Sequence, residues 1–331
     1  MITLGNRTLC SSCFAPIKAV PCKQCGFYDM HYRPDLDALQ IGSILMGQFL
    51  IGKVLSKGST GITYMAYDVK FGTVIAIKEY YPKEIVMRKP GDLGGVLIKD
   101  SQSAEEFYDG VENFYRRSSL LSKFAGNSGI VKVYQFFYEN DTVYCTMEYL
   151  DGITLKDYVE KAGTLTAGQA VYVADMVVYA LHALHYESLL HGGLSPDSIM
   201  LCTDGQVKLL DLDHAMKFGE DSDIDPEEKL SGFAPIEQYQ VGGKQGEWTD
   251  MYYLAASLCY ALTKRVPDVP QKRMKNDEDI INNAYDIQPD LWNVIRKAMQ
   301  VKYIDRYPGM AEFNKALAEI PIKRQGIKVP H

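Results

Sequence analysis

The sequence predicts an α+β protein in two lobes, preceded by a small metal-held ribbon. Three observations carry this. Four of the seven cysteines crowd into the first 25 residues as two C-x2-C pairs. From Phe49 to Gly152 short β-rich runs dominate, with one stretch at helical spacing between them. Beyond Gly152 the apolar residues recur as they do in helices, interrupted by a single small strand pair.

The ribbon comes first. Cys10 and Cys13 are followed, after eight intervening residues, by Cys22 and Cys25, and Gly26 comes next. Two thiolates on one tight turn point to the same spot, so each pair can wrap one metal. Two such knuckles make a tetrahedral four-thiolate set, which suits structural zinc. Redox dithiols or an iron–sulfur centre would use the same residues. A closed four-thiolate site has no open position for catalysis. A ribbon of residues 1–30 has too little core to fold alone, so the metal is expected to supply its folding energy. Residues 31–47 read as a linker, with turn-prone Arg33-Pro34-Asp35.

The first lobe is expected over residues 48–150. Ile51–Leu55, Val74–Lys78 and Thr142–Tyr149 are strand-like, and Phe107, Val111, Phe114 and Leu121 recur at helical spacing. The second lobe is expected over 151–320, with a tail to residue 331. Ala170–Glu187, Thr249–Thr263 and Asp290–Gln300 are apolar helix candidates. Ile199–Leu201 and Val207–Leu210 face each other across a Thr203-Asp204-Gly205 turn. Residues 219–229 hold six acids and one lysine, which predicts a solvated loop.

Of the 331 residues, 47% are hydrophobic and 23% charged, enough for a substantial core. The net charge of −7 argues against a general nucleic-acid or anionic-membrane binder. No run of eighteen apolar residues appears, and the first residues lack a signal-like apolar core, so a cytoplasmic protein is expected. Cys145, Cys202 and Cys259 stand alone in apolar surroundings and read as core residues.

Several short motifs follow one another along the two lobes. Ser56-Lys57-Gly58-Ser59-Thr60-Gly61-Ile62-Thr63 is a glycine-bearing hairpin. Ile75-Ala76-Ile77-Lys78 is a strand ending in lysine. Then come Met147-Glu148-Tyr149-Leu150, His191-Gly192-Gly193-Leu194-Ser195-Pro196-Asp197-Ser198, Val207 to Asp213, and Ala234-Pro235-Ile236-Glu237. In this order, from Phe49 to about Leu317, the chain resembles the protein kinase family, especially bacterial Ser/Thr kinases carrying a zinc ribbon.

The resemblance implies roles. Gly58 and Gly61 match two glycines of G-x-G-x-x-G-x-V, with Ser56 in place of the first. Lys78 matches the lysine that grips the nucleotide's phosphates. Met147 would be the gatekeeper, and the backbone at Glu148 and Leu150 would face adenine, with Ala76 and Leu201 completing that binding set. Asp211 keeps the metal-binding carboxylate, and Asp213 adds a second one where the family has glycine. Glu237 implies a buried pair with Arg306, and Asp250 matches the aspartate that braces the catalytic loop.

The chemistry-bearing positions depart from the family. Against H-R-D-L-x-x-x-N, Gly192 replaces arginine, Gly193 the catalytic aspartate and Ser198 the magnesium-binding asparagine. Arg117 falls where a helix glutamate should hold Lys78, unless a shifted register brings in Glu105, Glu106 or Glu112. The resemblance therefore implies a pseudokinase that serves as a protein-binding scaffold or regulator. ATP binding is expected to be weak or absent, with little help from magnesium. The rival is a nucleotide-binding enzyme with residual or non-standard phosphoryl or nucleotidyl transfer. A nucleic-acid-gripping ribbon would need more than Arg7, Lys18 and Lys23. Gly192 offers no guanidinium for a phosphorylated Ser222 or Ser231, so phosphorylation is not expected to switch the protein. Combining Gly192→Arg, Gly193→Asp, Ser198→Asn and Arg117→Glu in one variant, with Asp213→Gly as a further change, is expected to return activity that single reversions do not.

Overall fold

The computed structural model describes residues 1–4, 7–17, 19–28, 35–89, 94–210, 214–220, 232–240, 242–276 and 287–329. Asp211, Asp213, Lys18, Ser222, Ser231 and most of the acidic stretch lie outside them. The chain divides into two compact units, Met1–Ser122 with Lys132–Leu150, and Lys123–Val131 with Asp151–His331.

The first unit opens with an antiparallel ribbon hairpin, β1 (Ile2–Leu4) and β2 (Arg7–Leu9). Strands β3 (Ile44–Leu45), β4 (Phe49–Lys57), β5 (Gly61–Asp68) and β6 (Thr73–Tyr80) follow. A separate hairpin, β7 (Val86–Arg88) and β8 (Val96–Ile98), precedes helix α1 (Ser103–Ser122). Strands β9 (Val133–Glu139) and β10 (Thr142–Glu148) complete a six-stranded sheet of order β3-β4-β5-β6-β10-β9.

Strand β6 is buried on both faces, and two different devices cover it. On one face Tyr80 lies against Phe107 and Phe114 of α1, with ring centroids 5.6 and 5.8 Å away. Gly110 sits over the Tyr80 hydroxyl, where a Cβ would collide. On the other face Glu79 is fully buried and accepts hydrogen bonds from Tyr64 and Tyr144, both 2.7 Å, and from Arg88 Nη1 at 2.8 Å. Arg88 belongs to β7, so this ionic knot pins the added hairpin to the sheet. A buried carboxylate needs such complete pairing.

The ribbon shares a core with the sheet. Leu9, Cys10, Cys13, Phe14, Ile17 and Cys22 cluster with Leu50 and Met65. Phe14 packs with its ring centroid 5.6 Å from that of Tyr67 and lies where a Cβ on Gly52 would be, 2.8 Å away.

The second unit holds β11 (Gly152–Thr154), α2 (Leu155–Ala162), α3 (Ala167–Tyr186), β12 (Leu189–Leu190), β13 (Ile199–Cys202), β14 (Val207–Leu209) and β15 (Met216–Lys217). Among the described residues four more α-helices follow, α4 (Glu247–Thr263), α5 (Pro270–Asn276), α6 (Pro289–Ala298) and α7 (Met310–Ala318). Thr154 caps α2 through Asp157, and Thr166 with Gln169 forms a capping box on α3. Strand β13 lies between β11 and β14, and β12 pairs with β15. Helix α3 is long and apolar enough to cross a membrane. Its Ala170, Val173, Val177, Leu181 and Leu184 are buried in the unit's core, as expected of a core helix. Cys145, Cys202 and Cys259 are all buried, as the sequence implies.

Candidate functional site

The four ribbon sulfurs converge. Cys10, Cys13, Cys22 and Cys25 place their Sγ atoms within 4.8 Å of one another. Cys10 and Cys25 are 3.6 Å apart, and Cys13 and Cys22 3.8 Å. A tetrahedral zinc with Zn–S of about 2.3 Å sets its sulfurs roughly 3.8 Å apart, so the donor set fits the metal. The Ser12 amide donates to Cys10 Sγ at 3.4 Å, and Gly26, at φ +71°, donates to the Cys22 carbonyl at 2.8 Å. Burial pushes the Cys10 and Cys13 thiols up. Burial also opposes ionisation of Cys22, but the Cys25 and Gln24 amides outweigh it and hold that thiol at about 7.

In the sheet, Gly58 closes the β4–β5 turn by donating to the Gly61 carbonyl at 2.8 Å. Gly61 lies opposite Tyr80, where a Cβ would strike the Glu79 carbonyl and come within 3.6 Å of Lys78 Cε. Gly61 thus lets β5 close on β6, with the Lys78 side chain running beside the glycine turn. Lys78 is 6% exposed. Ala76 lies opposite Met147 in the β6–β10 register, and both are buried. Glu148 is committed to Lys132: its N–H donates to the Lys132 carbonyl at 2.9 Å, and its carboxylate accepts from the Lys132 amide at 2.8 Å. Leu150 is half-buried at the end of this unit, and Leu201 is buried in β13 of the other.

Helix α1 offers Lys78 no buried acid. Its buried stripe is Phe107, Phe114, Ser118 and Leu121, with Arg117 half-buried beside it. Glu105, Glu106, Asp109 and Glu112, all of its carboxylates, are exposed.

The loop after β12 is built around absent side chains. The β12–β15 register pairs Leu189 with Lys217 and Leu190 with Met216, and continuing it sets Gly192 opposite His214. Gly192 has φ +73°, and a Cβ there would collide with the His214 carbonyl oxygen. At Gly193 a Cβ would lie 2.5, 2.8 and 3.0 Å from Cδ2, Cγ and Cβ of His214. The imidazole therefore fills the space in which the family's aspartate would begin. Ser198 is equally committed. Its hydroxyl accepts from the Ser195 amide at 2.8 Å and donates to the Ser195 carbonyl at 2.9 Å. The expectation that a few side-chain substitutions restore the site thus meets a steric obstacle at Gly192 and Gly193.

The frame beneath the loop is intact. Asp250 is fully buried and accepts from the His191 and Gly192 amides, both 2.9 Å, and lies 2.8 Å from His185 Nε2. Burial opposes its ionisation, but the His185 hydrogen bond, the two histidine rings and the Gly192 amide outweigh it and hold its carboxyl below the usual range. Gln238 donates to the Gly192 carbonyl at 2.9 Å. Glu237 and Arg306 form the implied buried pair, bidentate at 2.7 and 2.9 Å. Arg306 also donates to the Trp248, Gln300 and Val301 carbonyls. Sequence reasoning missed His214, although two adjacent glycines are a signal that another backbone approaches closely.

Residues 49–317 match the protein kinase domain family. The chain is 25% identical over 228 residues to the serine/threonine-protein kinase PrkC of Bacillus subtilis, covering 69% of this chain and 32% of that protein. It is 25% identical over 290 residues to a probable serine/threonine-protein kinase of Clostridium acetobutylicum, covering 85% of this chain and 41% of that one. These curated relatives are thus much longer than the stretch that the chain spans. Among solved structures, the apo form of PpkA-294 superposes with a TM-score of 0.72 at 26% identity, covering 85% of this chain and 99% of that one.

Proposed function

The chain belongs to the protein kinase family, and from that premise we propose that it is a catalytically inactive member, acting as a protein-binding scaffold or regulator. The observation that carries this is the His214 ring pressed against Gly193, at the position matching the proton-accepting aspartate. A glycine cannot accept a proton, and an aspartate could not enter without moving His214. The Ser198 hydroxyl, spent on Ser195, supports the same reading. Phosphoryl transfer depends on positioning and charge stabilisation by just these groups. Structural zinc on Cys10, Cys13, Cys22 and Cys25 belongs to this proposal, as does a reducing, cytoplasmic setting, which suits thiolate ligands and three buried single cysteines. The partner is a protein, with neither nucleic acid nor membrane assigned.

One observation favours a second reading, a nucleotide-binding enzyme with residual transfer. Lys78 is retained on its strand, with Cε 3.6 Å from the Cβ position at Gly61. Thermal unfolding of the full chain with ATP, with and without magnesium, separates the two. The proposal expects little or no stabilisation. Strong stabilisation at micromolar ATP that requires magnesium would favour the enzyme.

A further inference from the structure

We propose that the groove between the ribbon hairpin and the β5–β6 turn docks an acidic peptide segment containing large apolar residues, contributed by a partner protein. This rests on the protein-binding reading above and names the partner's chemistry.

The groove encloses about 490 Å³ within the first unit. Leu4, Tyr67 and Val69 give it apolar side chains above the buried Leu9, Arg7 stands on the ribbon side, and Lys70 and Phe71 stand on the turn. Among the described residues no acid lines it. Asp68, the nearest acid in sequence, is buried and accepts from the Lys70 and Phe71 amides at 2.9 and 3.2 Å. Its charge is thus spent on shaping the turn that presents those two side chains outward. Phe71 is 70% exposed, and the Lys70 ammonium sits 5.4 Å from its ring centroid. Among the described residues neither Arg7 nor Lys70 forms an ion pair.

In a chain of net charge −7, two cations that no described carboxylate pairs, set beside exposed apolar side chains, select a ligand that is both anionic and apolar. A nucleic acid fits less well. Phosphate-driven affinity comes from several cations acting together, and two supply little of it. An acidic peptide instead places its carboxylates on Arg7 and Lys70 and a Leu or Phe against Tyr67 and Phe71. The groove also gives the ribbon a purpose. One wall is ribbon and the other is sheet, and Phe14 against Tyr67 holds the two together, so zinc keeps the groove assembled.

The test titrates the full zinc-loaded chain into a labelled peptide of alternating Glu and Leu. Controls are its Gln counterpart and a thymidine oligonucleotide of equal charge. The acidic peptide is expected to bind about tenfold tighter than either, and Arg7→Glu with Lys70→Glu to remove that advantage. Phe71→Ala is expected to weaken binding severalfold without changing its charge preference. Equal binding of the Gln peptide, indifference to the double reversal, or preference for the oligonucleotide would each overturn the groove. Phosphoryl transfer from ATP is followed on the same proteins. Transfer by parent and double variant alike would sink the non-catalytic reading and leave the groove standing. Absent transfer together with absent peptide selectivity would sink the groove alone.

Discussion

Replacing Gly193 with aspartate returns the carboxylate that a protein kinase needs, yet it should destabilise the second unit rather than activate it. Carbon atoms in contact prefer about 3.5–4.0 Å, and the new Cβ would lie 2.5–3.0 Å from three carbons of His214. Rotating the imidazole about χ1 relieves the Cδ2 and Cγ contacts, but His214 must then leave its packed rotamer and its Cβ still sits 3.0 Å away. Overpacking of this kind costs about 1–3 kcal/mol. In a unit of this size that lowers the unfolding midpoint by roughly 2–12 °C, at about 2–4 °C per kcal/mol. The assay is thermal unfolding by near-ultraviolet circular dichroism of Gly193→Asp, His214→Gly and the pair. The double variant should recover most of the loss. Gly192→Arg supplies the contrast. Its φ of +73° and its approach to the His214 carbonyl oxygen are backbone problems, so His214→Gly should not rescue it. An aspartate at 193 that leaves the midpoint unchanged beside an intact His214 would refute the steric reasoning.

Elemental analysis should find one zinc per chain, and chelation should raise amide exchange in the ribbon and in β4, against which it packs; iron, or no metal, would contradict the four-thiolate assignment. Because the Asp250 carboxyl is held low in the folded state, its contribution is complete above the unfolded value of about 3.9 and is lost as pH falls through the lower folded one. Acid unfolding of the parent should therefore steepen below about pH 4 relative to Asp250→Asn, and superimposable profiles would show that Asp250 carries no such linkage. Glu237→Ala strands the buried Arg306 guanidinium and should cost about 3–5 kcal/mol in urea unfolding; a loss below about 1 kcal/mol would mean that the three carbonyls on Arg306 suffice without the carboxylate.

Periodicity made the framework legible. Phe107, Phe114 and Leu121 do line the buried face of α1, and Ile199 does pair with Leu209 across the Gly205 turn. The Glu237–Arg306 pair and the Asp250 brace followed from motif positions alone. What stayed hidden depends on contacts between distant segments. Nothing local to Arg88 announces that it will neutralise Glu79, and nothing near Ser198 says that its hydroxyl will close on Ser195. The Gly192-Gly193 pair reads in sequence as a deletion of function. In three dimensions it is also the seat of His214, a residue twenty-one positions further along the chain.

The central claim, that this kinase fold does not transfer phosphate, is tested most directly by radiolabel transfer from γ-labelled ATP. The full zinc-loaded chain is assayed with magnesium or manganese, reading both autophosphorylation and transfer to a generic protein substrate. The control is Lys78→Met, which removes the lysine matched to phosphate binding. Incorporation by the parent should be indistinguishable from that of Lys78→Met under every condition. Incorporation that exceeds the control and grows with time would contradict the account.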